Sequence, residues 1–127
     1  MIRKLKDIII NGSGKNPILL DVTFNSDYNP KKIIIFCHGF KGFKDWGPFN
    51  ELADYFALQG FVFVKFNFSY NGTTVKKPLE FKDLDSFGNN NFCIELDDLG
   101  LVIDWVMQSQ ELYKEINKNQ IILFVNI

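Results

Sequence analysis

Residues 31–47, KKIIIFCHGFKGFKDWG, join an apolar run to a loop that contains three glycines and the only histidine of the chain, His38. The run from Ile33 to Cys37 is apolar at every position, which is typical of a strand covered on both faces in a parallel sheet. Helical spacing follows the loop, so the stretch predicts a strand, a glycine-rich turn and a helix. Ligands of such sheets bind beyond the carboxyl ends of the strands, which makes this loop the first candidate for a site.

The flanking segments alternate between strand and helix patterns. Further strands are predicted at residues 5–10, 17–24, 61–66 and 121–125, and helices at residues 49–57 and 92–106. The turn Asn11-Gly12-Ser13-Gly14 predicts that the first two strands form an antiparallel hairpin. We therefore predict an α/β fold in a single domain over residues 1–127. Its sheet is mostly parallel with about five strands, an antiparallel amino-terminal hairpin and two main helices.

Composition and charge limit the classes of partner. The chain is 46% hydrophobic, and its 14 basic and 15 acidic residues give a net charge of −1. The basic pairs Lys31-Lys32 and Lys76-Lys77 are scattered and form no stripe, so we expect neither nucleic acid nor an anionic membrane as a partner. Because no apolar run reaches membrane-spanning length, a soluble cytoplasmic protein is predicted.

The sequence gives little support for metal, cofactor or thiol chemistry. Cys37 and Cys93 lack the number and spacing of a disulfide framework or a zinc site, so two reduced, buried thiols are predicted. Two acidic pairs are interpreted as solvated surface: Asp83 with Asp85, and Asp97 with Asp98. We therefore expect no metal and no cofactor.

Residues 68–91 form a long polar connection rich in Asn, Asp and Lys. A connection of this length is uncommon in a compact domain unless it shapes a site or is mobile. Two alternatives stay open for it, a surface lid and a disordered segment.

The order of the strand ends along the chain is distinctive. An apolar third strand ends in His38-Gly39, a fourth ends in the sequence NFSYNG at residues 67–72, and a helix and a fifth strand follow. This order resembles the amino-terminal half of an α/β-hydrolase, over roughly residues 17–125. The segment HGFKGFKDWG in particular resembles the oxyanion loop of bacterial esterase-like and dienelactone-hydrolase-like members. The resemblance implies a serine hydrolase lineage with a small-molecule ester or acyl substrate.

The resemblance also implies roles for individual loop residues. The backbone N–H of Phe40, which follows His38-Gly39, would be one of two oxyanion-hole donors. His38 would brace the loop through side-chain hydrogen bonds and would not be the catalytic base. Gly39, Lys41 and Gly42 would support the loop.

The sequence departs from the family pattern at the nucleophile. The family carries its nucleophile in a G-x-S-x-G turn directly after the fifth strand, with the catalytic acid and histidine later in the chain. Here the fifth strand is followed by Asn126-Ile127, and no G-x-S-x-G occurs anywhere. We expect a chain truncated before the nucleophile and inactive alone, because losing nucleophile and base costs on the order of a millionfold in kcat.

Truncation would leave the fifth strand at the edge of the sheet. Residues 121–125 are apolar, with no charge, proline or bulge signal to block pairing with another strand. We therefore expect marginal stability, and either self-association or a carboxyl-terminal partner bound through this last strand.

Two alternatives to a hydrolase remain. The first is a non-catalytic interaction module or remnant that pairs through its open sheet edge. The second is a small anion or nucleotide binder of flavodoxin-like type that uses the loop at residues 38–47, with Lys41 and Lys44 as ligands. The missing G-x-G-x-x-G after the first parallel strand argues against the second.

Overall fold

The structure is a computed structural model that describes residues 1–126, which form five strands and three helices. In chain order these are β1 (Ile2–Asn11), β2 (Pro17–Asn25), β3 (Lys31–Cys37), α1 (Phe49–Leu58), β4 (Phe61–Asn67), α2 (Leu84–Gly88), α3 (Phe92–Gln108) and β5 (Ile116–Val125). Each predicted strand and helix is present. The last strand is longer than predicted, since it begins at Ile116 and includes the polar stretch 117–120.

The five strands form one sheet in the order β1-β2-β4-β3-β5. The hairpin β1–β2 is antiparallel, and β2 pairs antiparallel with β4. β3 pairs in parallel with both β4 and β5, and the connections between these three strands contain α1 and α3. The prediction of a parallel core with an antiparallel amino-terminal hairpin is confirmed.

Both faces of the central strand β3 are buried, which explains its uniformly apolar sequence. Ile33, Ile35 and Cys37 belong to the core cluster that contains the α3 residues Val102 and Val106. The alternate residues Ile34 and Phe36 belong to a smaller cluster on the other face. This cluster also contains Phe49 and Ala53 of α1 and Phe63 of β4. Alternate side chains of a strand point to opposite faces, so one helix covers each face.

Local signals set the ends of the two long helices. Gly60, with φ of 90°, follows α1 and adopts a left-handed conformation that favours glycine. At the start of α3 the side chain of Asn91 accepts a hydrogen bond from the Ile94 N–H at 3.0 Å, which satisfies one of the unpaired amides of the first turn.

Among residues 1–126, no helix has both the length and the apolar character needed to cross a bilayer.

The connection at residues 68–91 is folded against the rest of the chain, so the alternative of a disordered segment is wrong. It contains α2, which begins after Asp83, and the Asp83 side chain accepts a hydrogen bond from the Ser86 N–H. Asp83 N–H also donates to the Gly72 carbonyl at 3.0 Å, and Asn16 of the hairpin contacts the Ser86 hydroxyl at 2.8 Å. With only five residues, α2 is too short to show helical periodicity in the sequence.

Candidate functional site

The glycine-rich loop lies where the carboxyl ends of β3, β4 and β5 meet. The end of β5 is held beside β3, since the Asn126 N–H donates to the Cys37 carbonyl at 3.0 Å. An open cleft of about 700 Å³ lies at this edge of the sheet. It is lined by the glycine-rich loop, the connection at residues 68–91, the start of α3 and the end of β5: His38, Gly39, Phe40, Lys41, Asn71, Phe87, Asn90, Asn91, Phe92, Glu95, Val125 and Asn126.

His38 is buried and uses both ring nitrogens in hydrogen bonds. Its Nε2 accepts from the Phe68 N–H at 3.2 Å, so the proton lies on Nδ1, which donates to the Gly39 carbonyl at 2.9 Å. Burial disfavours the charged imidazolium and lowers the pKa of His38 to about 4. Both ring nitrogens are therefore engaged within the protein, and one of them contacts the loop at Gly39.

The loop after His38 makes a tight turn, and Phe40 in this turn lines the cleft. The Gly42 N–H donates to the Gly39 carbonyl at 2.9 Å, and Lys41 has a left-handed φ of 57°. A Cβ on Gly42 would lie 2.7 Å from the Gly39 carbonyl oxygen, so this position requires glycine. Within residues 1–126, no acceptor is hydrogen-bonded to the Phe40 N–H, and the Phe40 ring is 83% exposed.

The two lysines of the loop have different environments. Lys41 is exposed. Lys44 is fully buried, with its ammonium group 2.8 Å from Asp7, 3.1 Å from Asp21 and 2.6 Å from Asp45. The prediction that Lys44 could bind an anion is therefore wrong, because three carboxylates already surround it.

These carboxylates belong to a buried ion-pair network that spans the hairpin, the loop and β4. Carboxylate oxygens of Asp7, Asp21 and Asp45 lie within 4.8 Å of one another, but the ammonium groups of Lys44 and Lys65 lie among them. Burial alone would raise the pKa of Asp21. Hydrogen bonds from the Asp7 N–H and Lys65, with the charges of Lys65 and Lys44, outweigh burial and lower it. Lysines thus supply the positive charge that a metal would supply elsewhere.

The interpretation of Asp98 as solvated surface is wrong. Asp98 is fully buried and its two oxygens have separate partners. Oδ1 accepts from the Ser13 N–H at 3.0 Å and the Ser13 hydroxyl at 2.9 Å. Oδ2 accepts from the Ser69 N–H at 2.8 Å and the Ser69 hydroxyl at 2.7 Å. The helix face that carries Asp98 lies against two loops, whereas the neighbouring Asp97 is exposed.

The prediction of two buried thiols is half wrong. Cys37 is buried at the end of β3, whereas Cys93 in the first turn of α3 is exposed. Burial, helped by the nearby Glu95 charge, raises the pKa of Cys37 to about 11. A thiol with this pKa is a poor nucleophile at neutral pH.

Comparison with protein-family models and with curated protein sequences found no match. Solved structures match over nearly the whole chain. Brefeldin A esterase, a bacterial homologue of human hormone-sensitive lipase, superposes with a TM-score of 0.68 at 16% identity over 98% of this chain and 31% of its own. A Klebsiella pneumoniae protein assigned provisionally as a dienelactone hydrolase superposes with a TM-score of 0.69 at 16% identity, over 98% of this chain and 50% of its own. An esterase of Pyrobaculum calidifontis superposes with a TM-score of 0.65 at 16% identity, over 98% of this chain and 35% of its own.

These likenesses concern the fold. The chain spans between 31% and 50% of the length of the three structures it matches. At 16% identity the match shows shared architecture and not shared activity. The predicted fold, the amino-terminal part of an α/β-hydrolase, is confirmed.

Proposed function

We propose that this chain, with the fold of the amino-terminal part of an α/β-hydrolase, forms the oxyanion side of a serine hydrolase site for esters or other small acyl compounds. The observation that carries the proposal concerns Phe40, which follows the carboxyl end of β3 and lines the cleft, and whose N–H has no hydrogen-bonded acceptor within residues 1–126. A backbone donor fixed before the reaction stabilises the negative charge that develops on a carbonyl oxygen under attack.

The nucleophile, acid and base would come from polypeptide outside residues 1–127. No G-x-S-x-G occurs in the sequence. The only histidine already uses both ring nitrogens, and two of the five serines, Ser13 and Ser69, donate to Asp98. We therefore expect only background hydrolysis from residues 1–127 alone.

The free edge of β5 is where such a segment would attach. Among the described strands β5 pairs only with β3, and Leu123 and Val125 are 49% and 59% exposed. Val125 also lines the cleft, as does Phe92 at the start of α3, which is 84% exposed. A further strand parallel to β5 would satisfy the free backbone groups, cover these side chains and end at the cleft, where its loop could carry catalytic groups.

The test uses a protein that extends past residue 127 into the coding sequence downstream, translated in all three frames. We expect a G-x-S-x-G turn there, and hydrolysis of a p-nitrophenyl ester by the extended protein. Phe40→Pro removes the amide proton and should lower kcat by about 10²–10³-fold. Phe40→Ala keeps the N–H and is the matched control. Equal activity of the two variants, both shown to be folded, would refute the proposed role of this amide.

A second candidate function is a non-catalytic module that pairs through β5. The same exposed edge favours it, whereas the buried Lys44 weakens the case for an anion or nucleotide binder. The two remaining candidates differ in the partner strand. A partner that binds along β5 but contains no nucleophile would support the module, and ester hydrolysis by the assembled protein would support the hydrolase.

A further inference from the structure

Asp98 joins three segments that are distant in sequence. Its Oδ1 binds Ser13 in the loop of the hairpin, and its Oδ2 binds Ser69 in the loop after β4. The side chain is fully buried, and burying a carboxyl group is costly unless donors surround it. Four donors at 2.7–3.0 Å meet this requirement, so the positions of both loops are tied to α3.

The contacts of Ser69 continue to the oxyanion loop. Ser69 follows Phe68, whose N–H donates to His38 Nε2 at 3.2 Å and whose ring packs edge-on against the imidazole at 5.0 Å between centroids. The other ring nitrogen, Nδ1, donates to the Gly39 carbonyl at 2.9 Å. An unbroken series of contacts thus leads from Asp98 to Gly39.

The last contact fixes the amide that the proposed function depends on. The Gly39 carbonyl and the Phe40 N–H belong to one planar peptide unit and point in opposite directions. His38 and the Gly42 N–H both bind the Gly39 oxygen, each at 2.9 Å. Holding the oxygen therefore sets the direction of the Phe40 N–H, without any contact to that hydrogen itself.

We propose that Asp98 is a positioning residue for the oxyanion loop: its Oδ2 fixes Ser69 and Phe68, and through them the tautomer and orientation of His38 and the Gly39–Phe40 peptide. Its Oδ1, bound to Ser13, anchors the hairpin and has no part in this positioning. The catalytic meaning of the proposal rests on the proposed function, whereas the linkage itself does not.

The two oxygens allow a matched test on residues 1–127. Ser69→Ala and Ser13→Ala each delete one hydroxyl from the same carboxylate. We expect Ser69→Ala to shift the ¹⁵N signals of the His38 ring and to speed hydrogen exchange at the Phe68 amide by about tenfold, as expected for a lost hydrogen bond. Ser13→Ala should leave the His38 ring signals in place and the exchange rate of the Phe68 amide within about twofold of that in the unmodified protein. Equal effects of the two variants on His38, or no effect of Ser69→Ala, would overturn the proposal.

Asp98→Asn gives a stronger form of the same test, because an amide cannot accept from both serines. Its control is Asp97→Asn, which changes an exposed neighbour on the same helix. Asp98→Asn should disturb the His38 signals and Asp97→Asn should not. Where Asp98→Asn fails to fold, the serine pair decides.

The positioning role and the hydrolase function fail separately. In the extended protein, Ser69→Ala should lower kcat with little change in KM, whereas Ser13→Ala should change neither. An extended protein without hydrolase activity would refute the proposed function and leave the His38 result standing. Active protein with unshifted His38 signals in Ser69→Ala would refute only the positioning role.

Discussion

The two edge strands of the sheet, β1 and β5, differ in the features that block or permit pairing with a further strand. At one edge, β1 carries Arg3, Lys4 and Lys6, and its pairing register with β2 shifts between Leu5 and Ile8. At the other edge, the stretch 121–125 of β5 has no charge, and three of its apolar side chains are 43–59% exposed. Charges and bulges are the devices that block strand addition at an edge. We propose from this contrast that pairing with a further strand is blocked at β1 and open at β5.

The irregularity of β1 is held by the buried ion-pair network. Asp7, within the register shift, has a left-handed φ of 55°, which is costly for a residue other than glycine. Its N–H donates to Asp21 Oδ1 at 2.8 Å, and its carboxylate lies 2.8 Å from the Lys44 ammonium group. The strained backbone is thus compensated by contacts inside the sheet. No comparable polar network involves the stretch 121–125 among the described residues.

The largest effect is expected from removing a buried cation behind the β1 edge. Lys65 is buried, with its ammonium group 2.7 Å from Asp21 and 3.0 Å from Asp45. Lys65→Met leaves buried carboxylates short of positive charge and should lower the free energy of unfolding by about 3–5 kcal/mol. Urea unfolding measures the loss.

Lys6→Met is the control for this prediction. Lys6 contacts the same Asp21 oxygen at 3.1 Å, but its side chain is 45% exposed. Its removal should cost less than about 1 kcal/mol. Equal losses for the two variants would mean that burial does not set the strength of this network.

Acid should weaken the molecule in two separate pH ranges. The pKa of His38 is about 4 in the folded protein, below its value of 6.5 when unfolded, so the unfolded chain takes up the proton first. Stability is therefore lost as the pH falls from 6.5 to 4, by up to about 3 kcal/mol at about 1.4 kcal/mol per pKa unit.

The second range includes the carboxylates of the ion-pair network behind β1. The pKa values of Asp21 and Asp45 are lowered in the folded protein, so their contribution is present above about pH 4 and is lost as the pH falls through their folded values. Unfolding free energies at successive pH values should show both ranges. In His38→Gln the upper range should disappear while the lower one remains, and an unchanged upper range would contradict the assignment to His38.

A smaller effect should distinguish the two edges directly. Leu123→Lys places a charge on the open edge of β5, and we expect it to weaken self-association of the chain by at least about tenfold, since an inserted lysine blocks edge pairing. Ile9→Lys is the matched change on β1, where Ile9 is 58% exposed. It should alter association little, because that edge is already blocked. Sedimentation equilibrium over a range of concentrations measures both, and equal effects would contradict the contrast between the edges.

The sequence predicts the fold well because the fold depends on local patterns. The uninterrupted apolar run of β3, the helical spacing of α1 and α3, and the turn at Asn11-Gly12 are all visible within short windows. The sequence does not predict the start of β5 at Ile116, because residues 117–120 are polar on an edge strand, where burial imposes no pattern.

The candidate site is predicted less completely, because burial of polar groups depends on distant residues. The partners of Asp98 include Ser13, 85 positions away, and the partners of Lys44 include Asp21, 23 positions away. Neither pair has a local signature, so both residues look solvent-exposed in the sequence. His38 and Gly42 stay predicted site residues; the sequence singles them out because they belong to a local loop motif.

The smallest effect is expected at the exposed charges of β1. Arg3 pairs with Glu111 at 2.9 Å, but the two side chains are 47% and 55% exposed, so Arg3→Ala should change the free energy of unfolding by less than about 1 kcal/mol. Urea unfolding at low and high salt measures it. If charges protect β1 by blocking strand addition and not by pairing, association rather than stability should respond to their removal. A loss as large as that of Lys65→Met would instead show that the surface pair itself holds the edge in place.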